Sequence, residues 1–154
     1  MANARKFFTP DQQKIVTDAI AHAEKQTSGE IMVHIDDKCK EDVLDRAAYV
    51  FELLKMHKTE LRNGVLFYVA FEDRKFAIIG DAGINSKVEE GFWDSTRDIV
   101  IDHFKKGEYA EGLAAGVKKA GHELQKYFPY QKDDVNELSN EMSFGSDHDK
   151  KNDE

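Results

Sequence analysis

Residues 62–85 read RNGVLFYVAFEDRKFAIIGDAGIN, and this stretch decides the fold. Residues 65–71 are almost wholly apolar, the pattern of a strand covered on both faces. Glu72, Asp73, Arg74 and Lys75 interrupt the run with turn residues. Residues 76–79 resume it, and Gly80-Asp81-Ala82-Gly83 ends it. The reading is a β-hairpin followed by a polar loop.

Upstream, Thr9-Pro10-Asp11-Gln12 is a helix start: Thr9 caps, Pro10 suits the first turn and Gln12 reaches back. Ile15, Val16, Ala19, Ile20 and Ala23 then recur at helical spacing until Thr27-Ser28-Gly29. Ile31, Val33 and Ile35 alternate with Met32 and His34, which predicts a first strand. Residues 36–40 read as a polar loop. A second helix is expected over residues 42–57, with Val43, Ala47, Val50, Phe51 and Leu54 inward.

Downstream, Val88, Phe92, Trp93, Ile99, Val100 and Phe104 suggest a third helix, ended by Lys105-Lys106-Gly107. At helical spacing Phe92 and Trp93 read as core rather than as an exposed lip. A fourth helix carries Leu113, Val117, Ala120, Leu124 and Tyr127 on one face and closes at Pro129. Gly112, Gly116 and Gly121 weaken it and allow close backbone packing. Phe7 and Phe8 read as anchors for the N-terminus.

The order is α-β-α-β-β-α-α. A helical crossover between the first two strands makes them parallel and right-handed, and the hairpin makes the third antiparallel. The expected class is α/β: a three-layer α/β/α sandwich around a small mixed sheet.

The chain has 154 residues and 40% apolar residues, enough for one domain with a core. Mean hydropathy is −0.64, and no apolar run is long enough to cross a bilayer. One cysteine excludes an intrachain disulfide. The start, MANARKFFTPDQQK, holds no apolar signal segment, so a cytoplasmic location is expected. Net charge is −8, of which residues 133–154, with eight acids and two lysines, carry −6. A near-neutral body without a basic stripe argues against nucleic acid as a partner. The expected division is one domain over residues 1–130 and an acidic tail without fixed structure over 131–154.

The topology gathers three points at one sheet edge: Glu30 where the first strand begins, Asn63 before the second, and Asp81 after the third. Glu30 and Asp81 supply hard oxygen ligands. Asn63, Gly83 and Asn85, with loop carbonyls, complete a candidate shell for Ca²⁺ or Mg²⁺. Arg62 and Ser86, at the start of the next helix, form an alternative anion site. The structural alternative is that Glu30 pairs with Arg62 and that Asp81 caps the following helix. Asp36, Asp37 and the turn around Asp73 lie at the opposite end. The six histidines show no zinc spacing. Ser, His and Asp are all present, but no GxSxG sequence occurs. Cys39, between Lys38 and Lys40, reads as a plain exposed thiol.

Thr27-Ser28-Gly29-Glu30-Ile31, Asn63-Gly64-Val65-Leu66, Asp73-Arg74, residues 80–84, and Phe104 with Gly107, Tyr109, Gly112 and Leu113 together resemble the TPM domain family. The resemblance spans residues 9–128. The family includes a thylakoid-lumen acid phosphatase and a nematode receptor modulator. It implies an α/β/α sandwich, a divalent-metal site of acidic residues beside the strand ends and, in some members, phosphatase activity. Glu30 matches the family's Gly-Glu pair, Asn63 its Asn-Gly pair, and residues 81–83 its glycine loop.

Three departures stand out. The loop reads Gly80-Asp81-Ala82-Gly83 where relatives commonly carry Gly-aromatic-Gly. Only Glu89 and Glu90 stand near the place of a usual Asp, and relatives commonly add a signal peptide or membrane anchor. The function expected is a domain that binds a divalent cation and acts as an interaction or regulatory module. The alternative is a metal-dependent phosphatase of low activity, for which His34 and His103 are the acids available in type.

Overall fold

A computed structural model describes residues 7–130 and 141–145. Helix α1 (Pro10–Glu24) begins with the expected capping box: Thr9 Oγ1 accepts from Gln12 N, and Gln12 Oε1 accepts from Thr9 N. Strand β1 is Glu30–Asp36 and helix α2 is Val43–Leu53. The hairpin consists of β2 (Gly64–Ala70) and β3 (Lys75–Gly80). A single helical turn, α3 (Ala82–Asn85), leads to α4 (Asp94–Lys105) and α5 (Tyr109–Leu124). Strand β4 (Ser143–Phe144) returns to the sheet.

The sheet runs β3-β2-β1-β4. β1 and β2 are parallel, with Glu30 opposite Gly64 and Asp36 opposite Ala70. β2 and β3 are antiparallel, with Val65 opposite Gly80. Alternation along the strands splits the core in two. Ile31, Val33, Ile35, Val65, Phe67 and Val69 face α1, α4 and α5. Met32, Leu66, Tyr68 and Ala77 face α2. Helices on both faces make the chain an α/β/α sandwich.

Helix α5 packs against both α1 and α4. Its glycines permit this: a Cβ on Gly121 would stand 2.7 Å from the Ala23 Cβ and 2.9 Å from its Cα. Phe8 is buried, and Phe7 stacks on Phe71 at 4.0 Å, so both anchor the N-terminus as expected.

Four local expectations need correction. Ile15 lies off the apolar stripe of α1 and is 39% exposed. Helix α2 stops at Leu53 because Lys55 turns left-handed (φ 59°), and a 3₁₀ turn, Met56–Lys58, follows. Residues 86–93 are not helical: the chain turns at Gly91 (φ 85°), and α4 starts only at Asp94. Phe92 and Trp93 nevertheless pack against the core, edge to face at 4.7 Å. Cys39 is buried rather than exposed, and its thiol donates to the Glu41 carbonyl at 3.3 Å.

The sequence reading did not anticipate β4. It runs parallel to β1, with Ser143 opposite His34 and Phe144 opposite Ile35, and Met142, Ser143 and Phe144 are buried. The rest of the acidic tail lies outside the described residues.

Candidate functional site

The rim expected from the topology forms. Glu30 N donates to Asn63 O (3.2 Å), and Asp81 N donates to Gly64 O (2.9 Å). Glu30, Gly64 and Asp81 therefore stand in one row across three strands. Alternation puts Glu30 on the face of Met32 and Asp81 on the face of Ile79, so both acids share the α2 side. The backbone of Met56 packs over Gly64 between them: a Cβ there would stand 3.1 Å from Met56 O.

The two acids have different neighbours. Asp81 is held by a two-pronged pair with Arg62, Nε to Oδ2 and Nη2 to Oδ1, each 2.8 Å. Its Oδ1 also accepts from Ala82 N at 2.7 Å, capping α3. The expected capping role for Asp81 is thus present, and Arg62 is directed at Asp81. Arg62 holds a left-handed backbone (φ 51°), an uncommon state for a residue with a Cβ. Gly83 explains the close fit of this corner. Its N–H donates to Arg62 O at 2.9 Å, and a Cβ would collide with the carbonyls of Leu61 and Arg62.

Glu30 meets Asn63 through the backbone, Glu30 N donating to Asn63 O. Both are buried, at 4% and 1% exposure. Asn63 Nδ2 donates to Ser28 O (3.2 Å) and Asn63 N to Thr59 Oγ1 (3.2 Å). Asn63 Oδ1 is buried and accepts no hydrogen bond from the described residues. Asn85 and Ser86 are exposed: Asn85 Nδ2 donates to Gly80 O (3.0 Å), and Ser86 Oγ donates to Gly83 O (3.1 Å). Among the described residues no three His, Cys, Asp or Glu side chains cluster as a metal site.

The opposite end of the sheet holds a polar network that the sequence did not announce. Asp36, placed in a loop by its sequence, is the last residue of β1 and is buried. Its carboxylate accepts from Arg46 Nε (2.9 Å) and from the Tyr68 hydroxyl, and it lies 2.9 Å from His34 Nε2. His34 Nδ1 lies 2.9 Å from Ser143 Oγ. Burial pushes the Asp36 carboxyl up, but His34, Arg46 and Tyr68 outweigh it and hold it well below the usual carboxylate range. Burial, and then the Asp36 carboxylate, push the Tyr68 hydroxyl far up.

A serine, a histidine and an aspartate do meet here, but His34 is fully buried and the aspartate is also held by Arg46 and Tyr68. The cluster is a strut joining β4, β1, β2 and α2. Neither histidine considered as a proton donor reaches the rim. His34 lies four residues along β1, roughly 13 Å from Glu30. His103 Nδ1 lies 3.1 Å from Glu108 Oε1 at the end of α4.

With the sandwich and its rim established, the match to known proteins is specific. The TPM domain matches residues 2–123. The chain belongs to the TPM domain family. This TPM domain is 52% identical to the BA42 protein of the psychrophilic bacterium Bizionia argentinensis, whose NMR structure matches with a TM-score of 0.86. The match covers 90% of this chain and 96% of that one. The N-terminal domain of a P. gingivalis protein, also solved by NMR, superposes at a TM-score of 0.65 over 79% of this chain and 78% of that one. At 19% identity that likeness speaks for the fold of the TPM domain alone. No curated protein matches this TPM domain. Among the described residues, no helix is long and apolar enough to cross a membrane.

Proposed function

We propose that this TPM domain binds a divalent cation at its strand-end rim and acts as an interaction or regulatory module. The observation that carries the reading is Asn63 Oδ1, a buried acceptor without a donor among the described residues. A buried unsatisfied oxygen costs about 1–3 kcal/mol, and a hard cation that reaches it relieves that cost. Glu30 and Asn63 are the primary ligands in this reading. Asp81 joins only by giving up Arg62.

Gly83 O already accepts from Ser86 Oγ, and Asn85 Nδ2 is spent on Gly80 O, so both contribute less. The donor set is oxygen only and low in charge, which suits Ca²⁺ better than Mg²⁺. Affinity is expected in the weak range, about 10⁻⁴–10⁻³ M. The alternative anion site is less well supplied, because Arg62 and Ser86 already spend donors on Asp81 and Gly83. Phosphatase turnover is not expected, since neither candidate acid is at the rim.

A Ca²⁺ titration followed by amide NMR is the test. Saturable shifts confined to the neighbourhoods of Glu30, Asn63 and Asp81, and lost in Asn63→Ala, support the reading. Shifts confined to exposed acids, or unchanged in Asn63→Ala, overturn it. Hydrolysis of an aryl phosphate that is lost in Asp81→Ala with the fold intact would favour the phosphatase instead.

A further inference from the structure

The hairpin end of the sheet carries a cleft that the rim does not use. Its volume is about 740 Å³, within the range of small-molecule sites. Its walls are Val43, Val69, Phe71, Phe76, Ile101 and Phe104. Val43, Phe71, Phe76, Ile101 and Phe104 are only half buried, although each is large and apolar. Phe76 and Phe104 meet edge to face at 5.6 Å, so the aromatic wall is preset.

The charged residues lining the cleft are all cations: Arg74, Lys75 and Lys105. Among the described residues no carboxylate pairs with any of them, in a chain whose net charge is −8. Two neighbouring acids are engaged elsewhere: Asp73 accepts from Cys39 N (2.7 Å), and Glu108 lies against His103. Lys75 Nζ donates to Cys39 O (2.8 Å) and Glu41 O (3.1 Å), which fixes its charge in place and leaves one donor.

At the end of α4, beside the cleft, two carbonyls are occupied: Lys106 N and Glu108 N donate to His103 O, and Gly107 N donates to Phe104 O.

An apolar cavity with only positive charge at its rim is complementary to a ligand with a hydrocarbon body and an anionic head. We propose that this cleft binds a small amphipathic carboxylate. Its body lies against Phe71, Phe76 and Phe104, and its carboxylate lies among Arg74, Lys75 and Lys105. The proposal is independent of the cation reading, which concerns the other end of the sheet.

Decanoate titrated into the full chain and followed by amide NMR tests it, with 1-decanol as the uncharged control. Saturable shifts at Val69, Phe71, Phe76, Phe104 and Tyr109 are expected, with the alcohol bound about fivefold more weakly or worse. The double variant Arg74→Glu/Lys105→Glu alters two exposed side chains outside the core. It is expected to weaken decanoate about fivefold, the loss of two solvent-exposed charge contacts, and to leave the alcohol unchanged. Absence of saturation below the micellar concentration overturns the proposal. So does equal binding of acid and alcohol, or an unaltered decanoate affinity in the double variant.

Discussion

Ser143 Oγ lies 2.9 Å from His34 Nδ1, across 109 residues of sequence, and this contact ties the returning C-terminal segment to the first strand. Phe144 beside it is 1% exposed, in register with Ile35. A two-residue strand has little ladder of its own, so side-chain burial holds it. Phe144→Ala is expected to lower stability by about 3 kcal/mol. Truncation after Asn140 should do at least as much, read as a fall in the urea midpoint. A tail that contributes nothing to the fold would leave both midpoints unchanged.

The Asp36 strut sets the acid limit of the fold. The folded pKa of Asp36 lies below its unfolded value of about 3.9, so its contribution is fully present above that value. That contribution is lost as pH falls below about 4 towards the folded pKa. Stability measured by urea unfolding should therefore be insensitive to this group at neutral pH and decline in strong acid. Asp36→Asn should flatten that decline. At pH 7 it should cost about 3–5 kcal/mol, the usual cost of breaking a buried pair on one side.

Gly121 sits where α5 meets α1. Alanine is better than glycine in a helix by about 1 kcal/mol. Here its Cβ would meet the backbone of Ala23 at 2.9 Å, and overpacking costs about 1–3 kcal/mol. The steric term is the larger, so Gly121→Ala should lower the melting temperature. A rise would mean that the two helices separate freely.

Arg62 competes with any cation for Asp81. Arg62→Gln removes the positive charge and frees Oδ2, while Oδ1 keeps its bond from Ala82 N. If Asp81 joins the ion, Ca²⁺ affinity should rise several-fold in this variant, measured by the same NMR titration. Unchanged affinity would confine the site to Glu30 and Asn63.

The layers, the strand order through the hairpin and the common edge of Glu30, Asn63 and Asp81 were legible in the sequence. Apolar alternation, turn residues and crossover handedness are local or pairwise rules, and they suffice for backbone topology. Which partner each polar group takes was less legible. Arg62 reaches Asp81 through a left-handed backbone that the sequence does not signal. Asp36 stands in a polar stretch that reads as a loop, and Cys39 between two lysines reads as exposed, yet both are buried.

What the amino-acid order determined by itself is periodicity: which segments are helix or strand, and which faces of them are apolar. What only the tertiary structure decided is pairing at long range. The return of residues 143–144 to β1, the strut around Asp36 and the cation-rimmed cleft all join segments brought together by packing. Two residues are too few to show a period, and a charge compensated across space leaves no pattern along the chain.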